Sequence, residues 1–460
     1  MAHILCITSG LTGILNASFE MVSRLEAAGH RVSCASPKAV QEKVEAQGFT
    51  FLPLPPMAIA LAPPLPQFKG IWGKAQRMWL KYRLAGQRKT AAIEALQMEH
   101  FRNLLRSEAP DFLIVDVELH EYIMTAYSMQ QPMILLSQWF SLWKRPGLPP
   151  LLHDTLPGQG WSGSTLGLQL AWLKIRLNRW WIFQKKKWRS MGTNRRAVLQ
   201  TYAQQVGFPL DYIRENYWPG PFTYGQLPVI SITAKEMEFP HDLRPNLHYV
   251  GPMVYAQRKE KKDQKVIQSI EQILKDGIEK ERTIIYCSVS TFKTGDVQFL
   301  QKVIEAVRAQ KQWVLIIGMG GLLQQERFAA LPENVYAFSW VPQLKVLAKA
   351  HLSINHGGIH TINECIYYKV PMLVYSGKRS DQNGCAARVA YHELGIMGDK
   401  DKDDVTAIRE KITAVCSQRI YQKNIDQLHE RMQLYQKDKK LTKIVEAMIK
   451  GSAASRRHRT

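Results

Sequence analysis

The chain has 460 residues, is 45% hydrophobic and 22% charged, and carries 61 Lys plus Arg against 39 Asp plus Glu, a formal net charge of +22. This composition excludes a disordered chain, a collagen-like repeat and a disulfide-stapled mini-protein, and the length suits two or three domains with their own cores. So large a positive excess calls for an anionic partner (nucleic acid, a lipid surface or a phosphorylated ligand), and composition alone does not choose among them.

Residues 4–8 read as an opening strand, with no basic leading segment of a signal peptide before them. Residues 17–28 have helical spacing and stop at Gly29, and 32–35 form the next strand. Residues 69–89 hold seven Lys or Arg and no acid; 140–190 hold nine against the single acid Asp154. Nine of the twelve Trp lie between Trp72 and Trp188, so the aromatic and basic excesses coincide. Residues 171–189 (AWLKIRLNRWWIFQKKKWR) interleave Leu, Ile and Trp with Lys and Arg, the composition of a helix lying in a membrane interface. A core helix with a solvated basic face, and RNA binding through basic and stacking side chains, are the other readings. The most apolar stretch, 122–143, is broken by Gln130, Gln131, Pro132 and Gln138, so no transmembrane span is expected.

Short strands at 112–115 and 133–136 continue the first half, and the second half restarts the rhythm: 283–289, a helix over 297–309, 313–317, 335–337, 352–354 and 372–374. Strands alternating with helices predict two α/β domains with doubly wound parallel sheets. The charged segment 257–265 (QRKEKKDQK) reads as an exposed linker near their boundary. The division expected is 1–245, 246–450 and a disordered basic tail at 451–460. Cys6, Cys34, Cys287, Cys365, Cys385 and Cys416 form no C-x-x-C pair and no Cys/His cluster, which suggests reduced thiols in the cytoplasm and no metal site. Asp399, Asp401, Asp403 and Glu410 imitate a calcium loop, but Asp404 occupies the position that needs Gly, so an N-cap before a helix at 405–413 is expected instead. The run Gly318-Met319-Gly320-Gly321 is too short for a dinucleotide site.

The most informative stretch is 340–383 (WVPQLKVLAKAHLSINHGGIHTINECIYYKVPMLVYSGKRSDQN). His356-Gly357-Gly358 follows a short strand and precedes a helix. Glycines there allow close backbone approach, and the helix N-terminus offers free N–H groups to a phosphate. Alone, H-G-G also fits a tight strand–helix turn. With Trp340-Val341-Pro342-Gln343 before it, Glu364 eight residues after His356, Val370-Pro371, and Asp381-Gln382 beyond, the stretch resembles the nucleotide-sugar signature of the family-1 UDP-glycosyltransferases. The segment 381–395 (DQNGCAARVAYHELG) resembles their bacterial carotenoid and macrolide branch, the zeaxanthin glucosyltransferases above all.

The resemblance implies a GT-B fold, two Rossmann-like domains facing across a cleft, with the donor in the C-terminal one. It implies that Trp340 stacks on uracil, Gln343 lies near the ribose and Glu364 takes the ribose hydroxyls. His356, Gly358, Thr361 and Thr291 would hold the diphosphate, and Asp381 and Gln382 the sugar hydroxyls. The donor would be a UDP-sugar, UDP-glucose favoured, with no metal. One position departs from the pattern. The family carries a His sixteen residues before the His of its G-H-R-V run; counting back from His30 in Gly29-His30-Arg31-Val32 reaches Ile14, which cannot accept a proton. Another residue serves, the acceptor is itself acidic, or the protein is catalytically weak or silent. Asp116 stands where the family places the Asp that orients its His, and His120, flanked by Glu118 and Glu121, is the substitute acid/base expected here, since nearby carboxylates raise an imidazole's pKa. A solvated strand-to-helix turn is the alternative.

These features together predict an inverting hexosyltransferase. It would act on a lipophilic, carotenoid-like or other lipid acceptor while peripherally bound to an anionic membrane surface in the cytoplasm, with no nucleic acid partner. The alternative is a catalytically silent, membrane-associated nucleotide-sugar-binding protein.

Overall fold

The computed structural model describes residues 1–55, 61–140, 143–215, 220–259, 263–288, 297–320 and 331–457. Strands of the first half are β1 (His3–Ile7), β2 (Arg31–Pro37), β3 (Thr50–Leu54), β4 (Phe112–Asp116), β5 (Met133–Ser137), β6 (Ile213–Glu215), β7 (Phe222–Tyr224), β8 (Val229–Ser231) and β9 (Leu247–Tyr249). All but β6 and β7, which pair with each other, form one parallel sheet in the order β3-β2-β1-β4-β5-β8-β9. The second half supplies β10 (Thr283–Ser288), β11 (Trp313–Gly318), β12 (Val335–Phe338), β13 (Leu352–Asn355), β14 (Met372–Tyr375) and β15 (Gly395–Gly398), a parallel sheet ordered β12-β11-β10-β13-β14-β15. The central strands are unbroken apolar runs because helices cover both faces. Phe112, Leu113, Ile114 and Val115 of β4 are all buried, as are Ile284, Ile285, Tyr286 and Cys287 of β10.

In each sheet the chain order reverses about a central strand, β1 in one and β10 in the other. Ligands of such folds sit beyond the carboxyl ends of the strands at that switch point. The expected central strands are present, whereas β3, β8, β9 and β15 were not foreseen. Three of these four lie at sheet edges, where one flank is open and the apolar run is weaker; β3 even carries Pro53, tolerated at an edge.

Two features lie near the ends of the domains. The helix Lys440–Arg457 runs on through the first seven residues after Lys450. Its Leu441 and Val445 are buried in one cluster with Ile4, Val22 and Leu25, so the last helix returns to the N-terminal sheet. The segment 257–265 is also not simply exposed. Arg258 is inserted between the domains with its side chain 9% accessible, while Asp263 caps the helix Gln264–Glu279.

A second buried cation, Arg388, pins the domains. Arg388, in the helix Gln382–Tyr391, is 1% exposed and lies between the rings of Phe140 and Phe239, 4.5 and 4.4 Å from their centroids. Its Nε donates to Glu238 at 2.7 Å and one terminal nitrogen donates to the same oxygen. A buried guanidinium is tolerated because its donors and its faces are occupied.

Candidate functional site

The C-terminal wall of the cleft is built from the ends of β13 and β14. Gly357 adopts a φ of +82°, and a Cβ there would lie 2.8 Å from the Gln382 carbonyl oxygen, so only glycine fits this turn. Its N–H donates to Asn355 Oδ1 at 2.9 Å, which shapes the loop. The helix Ile359–Tyr367 follows, with Gly358 as its N-cap, and the Asp381 carboxylate accepts from the Ile359 N–H. The N–H groups that come next face the same turn as Thr361 and His356, both half-buried, and suit an anion. Thr291 lies outside the described residues.

One turn deeper, Glu364 is buried, accepts from Arg258 at 2.5 Å, and accepts from Gln343 Nε2. Gln343 Oε1 in turn accepts from the Tyr286 hydroxyl at 3.2 Å. Gln343 and Glu364 are thus in contact, with half-buried Trp340 three residues before Gln343. Sequence reasoning missed Arg258 because it occurs within a run that reads as solvated charge.

Asp381 and Gln382 begin the helix Gln382–Tyr391 and are both buried. Asp381 Oδ2 accepts from the Cys385 thiol, and burial raises its pKa to about 6. Gln382 Oε1 is buried and has no partner among the described residues. The N-terminal domain closes over this end: the Leu151 carbonyl accepts from Gly384 N–H and the Leu152 carbonyl from Asn383 Nδ2, each at 3.0 Å.

The opposite wall is the carboxyl edge of the N-terminal sheet. Asp116 ends β4, 1% exposed; its Oδ1 accepts from Glu118 N–H at 3.0 Å, and its Oδ2 has no partner among the described residues. Burial pushes the Asp116 pKa up to about 6. Glu118 is raised to about 8, by burial first and then by Asp116 and Asp381. Carboxyl groups of both domains therefore converge on one point of the cleft, and at neutral pH one of them favours its protonated form.

His120 is a correction. It is fully buried at the start of the helix His120–Ser128, its Nδ1 3.0 Å from the Tyr224 hydroxyl and its ring 4.4 Å from that of Phe222. The neighbouring carboxylate expected to support its charge, Glu121, is held by Arg195, one terminal nitrogen of which donates to both carboxylate oxygens at 2.9 and 2.8 Å. Burial, with Arg195 adding to it, drives the His120 pKa down to about 3. A core imidazole beneath two aromatic rings does not reach a substrate. Ile14 is likewise buried, in the helix Thr12–Ala27.

The side chain that does enter the cleft is His360, on the C-terminal wall. Its Nε2 lies 2.8 Å from Gln138 Oε1 on the N-terminal wall, and a Cβ on Gly13 would meet its Cδ2 at 2.5 Å. The sequence signal was its place in H-G-G-I-H-T, but no single-domain pattern indicates that its ring crosses to the other domain.

The basic helices form a separate surface. In the helix Gly70–Arg83, Trp72 is 85% and Tyr82 74% exposed; in the helix Thr165–Ser190, Trp181 and Trp188 are each 66% exposed. Lys81 Nζ donates to the Arg189 carbonyl at 3.0 Å and joins the two helices. Only Gly167, Leu168 and Trp172 of the 26-residue helix are buried, Trp172 through a 2.7 Å bond from Nε1 to the Leu148 carbonyl. No described helix is long and apolar enough to cross a membrane.

Residues 309–448 match the model of the erythromycin biosynthesis protein CIII-like C-terminal domain. Among curated relatives, the NDP-glycosyltransferase YjiC of Bacillus subtilis is 31% identical over 169 residues, 37% of this chain but only 40% of that enzyme. The oleandomycin glycosyltransferase of Streptomyces antibioticus is 23% identical over 420 residues, 90% of this chain and 83% of that one. Among solved structures, the kitacinnamycin glycosyltransferase superposes with a TM-score of 0.66 at 18% identity, covering 97% of this chain and 98% of that one. The chain shares its two-domain fold with the solved glycosyltransferase, and the matched family model lies wholly in the C-terminal half.

Proposed function

We propose that this protein is an inverting glycosyltransferase moving a hexose, with glucose favoured, from a UDP-sugar to a hydroxyl of a lipophilic acceptor at a membrane surface. The observation that carries the reading is the convergence of the helix start at Ile359, a Gln343–Glu364 pair and the Asp381–Gln382 turn on one wall of the cleft. Each group suits one part of a nucleotide sugar. The Glu364 carboxylate would exchange its present donors for the ribose hydroxyls, the helix N–H groups with Thr361 and His356 would hold the diphosphate, and Asp381 with Gln382 would accept from sugar hydroxyls. In the reaction the acceptor oxygen bonds to the anomeric carbon as the bond to the diphosphate breaks. Negative charge then grows on the leaving oxygen, beside the helix N-terminus, where fixed donors stabilise it most.

The lipophilic acceptor and the membrane surface are supported by the exposed Trp and basic residues of the helices Gly70–Arg83 and Thr165–Ser190. Aromatic rings suit the interfacial layer and cations an anionic leaflet. Carotenoid-like alcohols are the first acceptors to try. The test is UDP release from a set of UDP-sugars with membrane extract, and co-sedimentation with phosphatidylserine-containing liposomes. UDP release with UDP-glucose is expected to exceed that with the other donors. UDP binding without turnover under every condition would instead select the silent protein that Ile14 favours, and failure to sediment at low salt would remove the membrane from the proposal.

A further inference from the structure

We propose that His360 is the general base of the transfer, delivered across the cleft from the C-terminal wall in place of the histidine missing at position 14. The assignment rests on the transferase reading above. The helices Thr12–Ala27 and Ile359–Tyr367 pack together, and His360, second residue of one, lies against Gly13, second residue of the other. A side chain at position 13 is excluded, because its Cβ would lie 2.5 Å from Cδ2 and 3.3 Å from Nε2 of the imidazole. The ring therefore reaches the helical turn that contains Ile14, entering from the opposite domain. Its second contact, Gln138, directly follows β5, and Asp116 ends the adjacent strand β4, so the imidazole meets the edge of the sheet that carries the carboxyl cluster.

The hydrogen bond fixes the tautomer. With Gln138 presenting its carbonyl oxygen, Nε2 carries the hydrogen and Nδ1 keeps the lone pair. Burial, with the Arg258 charge adding to it, pushes the pKa down to about 4, so the resting imidazole is neutral; this shift weakens the ring as a base, and the assignment rests on its position across the cleft. His120, by contrast, is sealed in the core. In the step itself Nδ1 takes the hydroxyl proton as the acceptor oxygen bonds to the anomeric carbon. The electron pair of the breaking carbon–oxygen bond leaves on the diphosphate, and the imidazolium then releases its proton to solvent.

The test compares wild type with His360→Asn and His360→Gln, using UDP-glucose and two acceptors, zeaxanthin as an alkyl alcohol and 4-methylumbelliferone as a phenol. Proton removal is worth about 10²–10⁴-fold for an alkyl alcohol and far less for a phenol that ionises readily. Both variants should therefore lose at least about 100-fold in kcat with zeaxanthin and less than about tenfold with the phenol, while UDP affinity measured by calorimetry, which also reports folding, stays within about twofold. Full kcat with zeaxanthin in either variant would overturn the assignment. A fall in UDP affinity that accounts for the lost rate would overturn it too, by making His360 a diphosphate ligand. No turnover by wild type with either acceptor would fail the transferase reading itself, a result distinct from active wild type with unaffected variants.

Discussion

In the C-terminal domain the carboxyl edge of the sheet ends in a glycine turn, a helix start and a row of polar side chains: His356, Thr361, Glu364, Asp381 and Gln382. In the N-terminal domain the corresponding edge carries Gly13, the buried Ile14, and Asp116 with one carboxylate oxygen that has no partner among the described residues. Both edges have the same parallel topology and the same switch-point geometry. The backbone therefore makes a place for a ligand in each, and side chains decide what the place can do. One wall is equipped to bind an anion; the other lacks its expected base and receives an imidazole from its neighbour.

The comparison depends on the two walls being held together, so the largest effect should come from the pin between them. Arg388→Ala removes the buried guanidinium that Glu238 is paired with, and thermal unfolding should report a loss of about 3–5 kcal/mol. His120→Ala should cost about 2–4 kcal/mol of stability as a core truncation, with no change in the pH dependence of kcat. A shifted pH profile would return His120 to the site. Glu364→Ala should weaken UDP binding by about 10–100-fold, equivalent to roughly 1.4–2.7 kcal/mol, and should also lower thermal stability, because it removes the buried carboxylate that Arg258 is paired with.

A smaller effect tests the acidic point between the walls. Asp116 has a folded pKa raised from 3.8 to about 6, chiefly by burial, so the folded state favours its protonated form. Its favourable contribution is full below pH 4 and is lost as pH rises through about 6. Asp116→Asn should therefore stabilise the protein by about 1–2 kcal/mol at pH 8 and by little at pH 4, read from melting temperatures at both pH values. Equal shifts at both would show that burial does not raise this group. The smallest effect belongs to the surface away from the cleft: Trp181→Ala should weaken binding to anionic liposomes by about threefold to tenfold, near 1 kcal/mol, without altering UDP affinity.

Much of this arrangement is local, and what is local was legible. The central strands announce themselves as apolar runs, and Asp404 caps the helix Val405–Ser417 through a 2.8 Å bond from Ala407 N–H, as its spacing predicts. Gln343, His356, Glu364 and Asp381 come from one stretch of chain, so their order and spacing are visible in the sequence. The large positive charge was traceable to two Trp-bearing segments before any helix was seen, because composition is additive along the chain.

The tertiary structure decided everything that depends on two distant segments meeting. The motif around Asp116 offered His120 as a base, but the helix rotates that ring into the core and brings Glu118 toward Asp381. Arg258 looks solvated in its basic run, yet the passage between domains buries it on Glu364. Gly13 and His360 are separated by 347 positions in the sequence, and no periodicity relates them. Their contact exists because two parallel sheets present helix starts to one cleft. A sequence reports which groups are present, whereas burial and proximity, which set whether a group can ionise or reach a substrate, are properties of the folded pair of domains.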